Sequence, residues 1–215
     1  MRWYWWVAIA VVLLGGLQVT GLLTAADLED LATRGARLTK FPVDPSLNYV
    51  SQTPAECAAA AGDMDVDVYS LARMIRSEEG RSSVQAKTAV AFAAVNRARS
   101  AGKSVTALLT MGSTGDGFYG PQNSGGRYAA TDQDPYEGDA AIAAICLGGY
   151  TADPTFGSEL FDRPKLQDLL LARGTAGYTK GSEGVASARL AAGYELVAAT
   201  GVDVSELRFW RPRIG

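Results

Sequence analysis

The chain has 215 residues, 47% of them hydrophobic and 20% charged, a composition typical of one globular domain with additional segments. Its formal net charge of −3 argues against a nucleic-acid partner, because nucleic acids are bound by basic surfaces. There is no histidine, and Cys57 and Cys146 are the only cysteines. This excludes Ser-His-Asp and Cys-His catalysis and the usual zinc sites. We therefore expect no metal and no cofactor.

Residues 1–24 are predicted to be a transmembrane anchor. Their apolar run approaches the roughly 20 residues that span a bilayer core, and four aromatic residues lie at its start. Arg2 precedes the run, and acidic residues follow it at positions 27, 29 and 30, which favours a cytoplasmic N-terminus. A cleaved signal peptide ending near Ala26 is the alternative, and it delivers the domain to the same side of the membrane.

Residues 25–64 are predicted to be a tether, and residues 65–215 a folded domain. Pro42, Pro45 and Pro54 interrupt regular structure in the tether. In an exported chain Cys57 and Cys146 could form a disulfide, whereas the apolar helical pattern around Cys146 favours a buried thiol. The sequence leaves both open, because it does not report the distance between the two residues.

The centre of the predicted domain is a pair of helices. Leu71, Met74, Ile75 and Glu78 fall at i, i+3, i+4 and i+7, the spacing of one helix face. The second helix is predicted to begin with a capping box at Ser82 and to continue through an almost wholly apolar stretch at 84–94. A carboxyl group held against such a helix is expensive to ionise, as a general acid requires. The alternative is a partly exposed glutamate at a helix end.

The stretches LARMIRSEEG (71–80) and AVAFAAVNRA (89–98) resemble the core motif of the spore-cortex-lytic, SleB-like cell wall hydrolases. Asp153-Pro154-Thr155, with Gly157 and Phe161, is similar to the Asp-Pro-Thr segment of that family. The resemblance covers residues 71–161. It implies a lysozyme-like fold, cleavage of peptidoglycan glycan strands, and Glu78 in the catalytic position.

The segment 112–134 is rich in glycine, amides, hydroxyls and aromatic residues and lacks helical periodicity. Long irregular segments in compact domains are often functional or form hairpins. Residues 120–124 match approximately a motif that the resembling family carries on a hairpin lining its cleft. Aromatic rings and polar side chains of this kind can stack on sugars and bind their hydroxyl and N-acetyl groups. The predicted substrate-binding residues are Tyr119, Gln122, Asn123, Ser124 and Tyr128. A polar surface loop is the alternative.

Further helices are predicted after this segment. One begins with Asp134 as N-cap and Pro135 in the first turn and runs over 136–147. Others are expected over 164–173 and within 182–200, and residues 207–210 form a strand or a packed tail. Together these elements predict a mostly α (α+β) fold with a small β-hairpin region, and the resemblance specifies this fold as lysozyme-like.

These expectations combine into one hypothesis: a membrane-anchored enzyme that cleaves the β-1,4 bond between N-acetylmuramic acid and N-acetylglucosamine. Its partners are peptidoglycan strands and the membrane, and its catalytic domain lies on the periplasmic side. A lytic transglycosylase needs one carboxylate, whereas hydrolysis normally needs two. Asp116, Asp132 and Asp134 are the candidates for a second acid. The alternative is a non-enzymatic wall-binding or structural part of a secretion or phage DNA-delivery apparatus, within a larger envelope or virion complex.

Overall fold

The computed structural model describes residues 54–79, 82–109, 135–175 and 178–214. These residues form a mostly helical fold with one small antiparallel sheet, which confirms the expected α+β class. In chain order, the elements are α1 (Pro54–Ala61), α2 (Val66–Glu79), α3 (Val84–Ser100), α4 (Val105–Leu109), α5 (Glu137–Gly148), β1 (Leu160–Asp162), α6 (Pro164–Ala172), α7 (Ser182–Ala191), β2 (Tyr194–Val197) and β3 (Arg208–Pro212).

The core lies where α2, α3 and α5 pack against one another. Leu71, Met74 and Ile75 are at most 1% exposed, so the predicted inner face of α2 is confirmed. Residues 89–95 of α3 are at most 5% exposed, as their unbroken apolar sequence predicts. Ile142 of α5 belongs to the same cluster. A helix that is apolar all round is stable only inside a core, which explains the central place of α3.

The start of α3 lies one residue later than the predicted capping box. Ser83 is the N-cap residue, and its hydroxyl accepts a hydrogen bond from the Ala86 N–H at 3.2 Å. The assignment of the cap to Ser82 is therefore wrong. Both serines precede the apolar run, and the sequence pattern alone does not distinguish which of them takes the extended conformation that a cap needs.

The start of α5 also differs from the prediction, because Tyr136 is its N-cap residue. Asp134, which lies outside the described residues, and Pro135 therefore do not begin the helix as predicted. The hydrogen bond that caps the helix is made by a residue inside its first turn: the Asp139 carboxylate accepts the Tyr136 N–H at 3.0 Å. The other oxygen of Asp139 binds the Lys87 ammonium group at 2.8 Å, which links α5 to α3 through a buried ion pair.

The sheet has the strand order β1-β3-β2, with both pairs antiparallel. In the central strand β3, Trp210 lies opposite Leu160 on one side and Leu196 on the other. Trp210 is 1% exposed, so its prediction as a core residue is confirmed. Of the two alternatives for residues 207–210, a strand or a packed tail, the structure has the strand.

The predicted helix within 182–200 is shorter than expected. Helix α7 ends at Ala191, and β2 follows after a turn. Gly193 permits this turn because its φ of 84° lies in the left-handed region, which favours glycine. The sequence of β2 is rich in strand-forming side chains, and pairing with β3 supplies the hydrogen bonds that a continued helix would otherwise provide.

Helix α1 lies within the range 25–64 that the sequence analysis assigns to a tether. Pro54 begins this helix rather than interrupting it, as its position in a first turn allows. Cys57 of α1 and Cys146 of α5 are both buried free thiols. The predicted anchor at residues 1–24 lies outside the described residues. Within the described ranges, none of the helices combines the length and apolar character needed to cross a bilayer.

Candidate active site

Glu78 lies near the end of α2 and is half-buried in the wall of a cleft with a volume of about 260 Å³. The helical spacing that buries Leu71, Met74 and Ile75 brings Glu78 onto the same side of α2, one turn further on. The rest of the cleft wall comes from β1, α6, α7 and the segment between these helices. The other lining residues are Leu160, Phe161, Asp162, Arg163, Leu166, Gln167, Tyr178 and Arg189.

A hydrogen bond fastens the end of α2 to the opposite wall of the cleft. The Arg163 guanidinium group donates to the backbone carbonyl of Glu78. The last carbonyls of a helix have no partner within the helix, so a side chain from another element satisfies one of them here. Arg163 is also the N-cap residue of α6. This contact fixes the backbone that carries Glu78 relative to α6.

Asp162 is the second carboxylate in the wall of the cleft, and its neighbours surround it with donors. One of its oxygens accepts from Arg208 Nε at 3.0 Å and from Arg208 Nη2 at 2.6 Å. The other oxygen accepts from the indole N–H of Trp210. The ion pair is buried, with side-chain exposures of 4% for Asp162 and 9% for Arg208. Asp162 therefore joins β1 to β3, and both of its oxygens are occupied.

The two motifs that carry the family resemblance meet in space although they lie 57 residues apart in the chain. Asn96 Nδ2 donates to Asp153 Oδ2 at 2.8 Å and to the carbonyl of Ser158 at 3.1 Å. Asp153 also accepts the backbone N–H groups of Thr155 and Gly157, each at 2.8 Å. These contacts shape the turn before β1 and hold it against α3. Since β1 lines the cleft, the motif contributes to the site by positioning that strand.

A second set of contacts also holds α3 against the segment before β1. Arg97 on α3 forms an ion pair with Glu159 at 3.3 Å and donates to the Tyr194 hydroxyl at 3.2 Å. Glu159 directly precedes β1, and Tyr194 begins β2. The Asn-Arg pair that ends the apolar stretch of α3 thus contacts both the segment before β1 and the start of β2.

The structure describes Glu78 but none of the other predicted site residues. The proposed substrate-binding residues lie outside the described part of the chain, namely Tyr119, Gln122, Asn123, Ser124 and Tyr128. The same is true of the three candidates for a second acid, Asp116, Asp132 and Asp134. Their roles stay predictions.

Five cleft residues were not predicted from the sequence, namely Asp162, Arg163, Gln167, Tyr178 and Arg189. The Asp-Arg-Pro run at 162–164 carried a usable signal, because charged residues at a strand-to-helix junction often lie at the edge of a site. Tyr178 and Arg189 carried no such signal. They reach the cleft only because α7 folds back against α6.

The cleft combines one half-buried carboxyl group with aromatic, amide and cationic side chains. Tyr178, which is 41% exposed, provides a ring that a sugar can stack on, whereas Phe161 lines the cleft and packs partly against the core. The Gln167 Oε1 atom is buried and has no hydrogen-bond partner among the described residues, which leaves it for a water molecule or a ligand group. Among the described residues, no three potential metal-ligating side chains come together. The arrangement is suited to acid catalysis on a polar, ring-shaped substrate.

Comparison with protein-family models, with curated proteins and with solved structures finds no match to this chain.

Proposed function

We propose that this protein cleaves peptidoglycan glycan strands at the β-1,4 bond between N-acetylmuramic acid and N-acetylglucosamine, as a lysozyme-like enzyme of the SleB-like kind. The observation that carries the proposal is the position of Glu78, half-buried in a cleft that also presents Phe161 and Tyr178. The contact between the Asn96 and Asp153 motifs supports it, because both motifs resemble that family and together they position a wall of this cleft.

In the proposed mechanism, Glu78 donates its proton to the oxygen that links the two sugars. The bond between that oxygen and C1 of the muramic acid breaks, and positive charge develops at C1 and the ring oxygen. The Glu78 carboxylate then accepts the proton of the muramic C6 hydroxyl as this oxygen bonds to C1. The result is a 1,6-anhydro ring, and Glu78 is protonated again for the next cycle.

The choice of transglycosylation over hydrolysis rests on the surroundings of Asp162. Hydrolysis normally uses a second carboxylate, either to activate a water molecule or to attack C1. Asp162 is the other carboxylate among the described cleft residues, and Arg208 and Trp210 occupy both of its oxygens. The C6 hydroxyl belongs to the substrate itself and gains the large effective concentration of a tethered nucleophile. One carboxylate is sufficient for this reaction.

Cleavage of purified peptidoglycan by the wild-type protein and by Glu78→Gln tests the proposal. We expect the variant to lose cleavage and to keep its melting temperature or raise it, because Gln preserves the shape of Glu but cannot donate the proton. Glu183→Gln is the matched control, since Glu183 is exposed in the first turn of α7. A Glu78→Gln variant that still cleaves would overturn the assignment. A wild-type protein that binds peptidoglycan without cleaving it would point to the non-enzymatic alternative.

The product distinguishes the two chemistries. Mass spectrometry of the released fragments should show 1,6-anhydro-muramic ends, each lighter by one water molecule than the hydrolytic product. Ends that borohydride reduces would mean that water is the nucleophile, and a second acid among Asp116, Asp132 and Asp134 would then be sought by mutation.

A further inference from the structure

Arg189 is a cationic side chain in the cleft that forms no ion pair with any described residue. It lies on α7, is half-buried, and lines the same cleft as Glu78 and Tyr178. A partly buried guanidinium group without a partner costs desolvation energy that a bound anion would offset.

Three acidic residues on elements that neighbour α7 have other partners. Asp162 of β1 is paired with Arg208 at 2.6 Å. Asp168 of α6 accepts the backbone N–H and the hydroxyl of Ser182 at 2.7 and 2.8 Å. Glu195 of β2 is paired with Arg211 at 2.5 Å. None of these three carboxylates forms an ion pair with Arg189.

We propose that Arg189 binds a carboxylate carried by the muramic acid part of the substrate, an inference that rests on the function proposed above. Each muramic acid offers such a group, either on its stem peptide or, where the peptide has been removed, on its own lactyl chain. A guanidinium group can bind a carboxylate through two parallel hydrogen bonds, which also sets the orientation of the ligand. The Tyr178 phenol, which lines the same cleft, can supply a further donor. Arg189 thus selects strands with a charged muramic acid and places them across Glu78.

The test compares kcat/KM on three forms of soluble glycan strand: peptide-bearing strands, strands stripped by an amidase, and peptide-bearing strands with all carboxylates converted to amides. We expect the wild-type protein to prefer a carboxylate-bearing form over the amidated one by about tenfold, the size of a charge-assisted hydrogen bond. Arg189→Gln should remove this preference, and Arg189→Lys should keep part of it, because Lys retains the charge without the two-pronged geometry. Arg173→Gln, at an exposed arginine that ends α6, is the matched control.

The form on which Arg189→Gln loses activity identifies the carboxylate. Loss on peptide-bearing strands alone indicates the stem peptide, and loss on stripped strands indicates the lactyl group. Equal kcat/KM of the wild-type protein on all three forms, or an equal loss on all three in Arg189→Gln, overturns the inference.

Binding separates this inference from the proposed function. Glu78→Gln should sediment with native insoluble peptidoglycan several-fold more than with amidated peptidoglycan, and Glu78→Gln combined with Arg189→Gln should show no difference. This result supports the Arg189 site even if the wild-type protein cleaves nothing. Equal sedimentation of Glu78→Gln with both materials refutes the site, even if the wild-type protein cleaves peptidoglycan through Glu78.

Discussion

Two carboxylates, Glu78 and Asp162, line the described part of the cleft, and they lie in different surroundings. Asp162 is almost fully buried, and both of its oxygens accept hydrogen bonds from side chains of β3. Its role is therefore to stabilise the sheet. Glu78 lies near a helix end and is half-buried in the wall of the cleft. The two side chains differ in burial, which is one of the factors that set the properties of a carboxyl group.

The two thiols provide a prediction at the scale of single residues. Burial raises the pKa of the Cys146 thiol far above its ordinary value of 9.0, and the nearby Asp153 charge raises it further. The reactive thiolate form of Cys146 is therefore absent at pH 8. Cys57 is shielded by burial, since it is 2% exposed. Without reductant, a thiol reagent should label neither cysteine in the native protein, and both after unfolding in guanidinium chloride. No labelling after unfolding would show instead that Cys57 and Cys146 form a disulfide.

Single-residue properties could be predicted from the sequence wherever a helical period governs them. The spacing of Leu71, Met74 and Ile75 was sufficient to place Glu78 beside the buried face of α2. The pairing of Asp162 with Arg208 could not be predicted, because the two residues lie 46 positions apart and no local pattern relates them. Arg189 could not be predicted either, because its place in the cleft depends on how α7 packs against α6.

At the scale of elements, the Lys87–Asp139 ion pair joins α3 to α5, with Asp139 fully buried. Lys87→Met should lower the free energy of unfolding by about 3–5 kcal/mol, because it leaves a buried charge without a partner. Chemical denaturation measures this loss. Lys87→Met combined with Asp139→Asn should be more stable than Lys87→Met alone, since the amide is neutral and still accepts the Tyr136 N–H. A double variant no more stable than Lys87→Met would show that the buried charge is not the cause.

A second prediction at this scale concerns the contact between α6 and α7. Asp168 on α6 accepts the N–H and the hydroxyl of Ser182 at the start of α7, and these hydrogen bonds lower its pKa below the ordinary value of 3.8. Because the folded pKa is lowered, the stabilisation is complete above pH 3.8 and is lost as the pH falls through the folded value. Asp168→Asn should therefore unfold at a lower denaturant concentration than the wild-type protein at pH 7.

The same comparison at pH 3 provides the control for Asp168. The difference between Asp168→Asn and the wild-type protein should shrink as the wild-type carboxylate becomes protonated. A difference that is the same at both pH values would mean that the ionised form of Asp168 has no part in holding α6 and α7 together.

The helices themselves were predictable from apolar periodicity, whereas several of their ends were not. The cap of α3 depends on which of two adjacent serines adopts an extended backbone, and α5 takes its cap acceptor from Asp139 within the helix. The end of α7 depends on β2, which needs β3 as its partner. Helix ends are decided by side chains and strands that meet only in the folded chain.

At the scale of the whole molecule, the proposed function requires the domain to lie outside the cytoplasmic membrane. The prediction rests on Arg2 before the apolar run of residues 1–24 and on the acids that follow it. Protease added to spheroplasts should digest the domain, while a cytoplasmic marker protein stays intact. Protection of the domain would contradict this topology, and a mature protein that starts near Asp27 would mean that a signal peptide had been removed.

The fold class followed from composition and helix count, but the pairing of the sheet did not. A β-hairpin region was expected within residues 112–134, which lie outside the described residues, and a strand was one alternative for 207–210, but no sequence pattern indicated a sheet in which β1 and β2 both pair with β3. Its pairings join residues up to 50 positions apart in sequence, as in Leu160 and Trp210. Such pairings depend on the packing of the whole chain, so local sequence patterns do not reveal them.

The central place of β3 sets the order in which the site is completed. Neither β1 nor β2 pairs with the other, and β3 follows both of them along the chain. During synthesis, β1 therefore has no strand partner, and Asp162 has neither Arg208 nor Trp210, until residues 208–212 have left the ribosome. The part of the cleft wall that β1 contributes is assembled only then, so under the proposed function a nascent chain would stay inactive until β3 has formed.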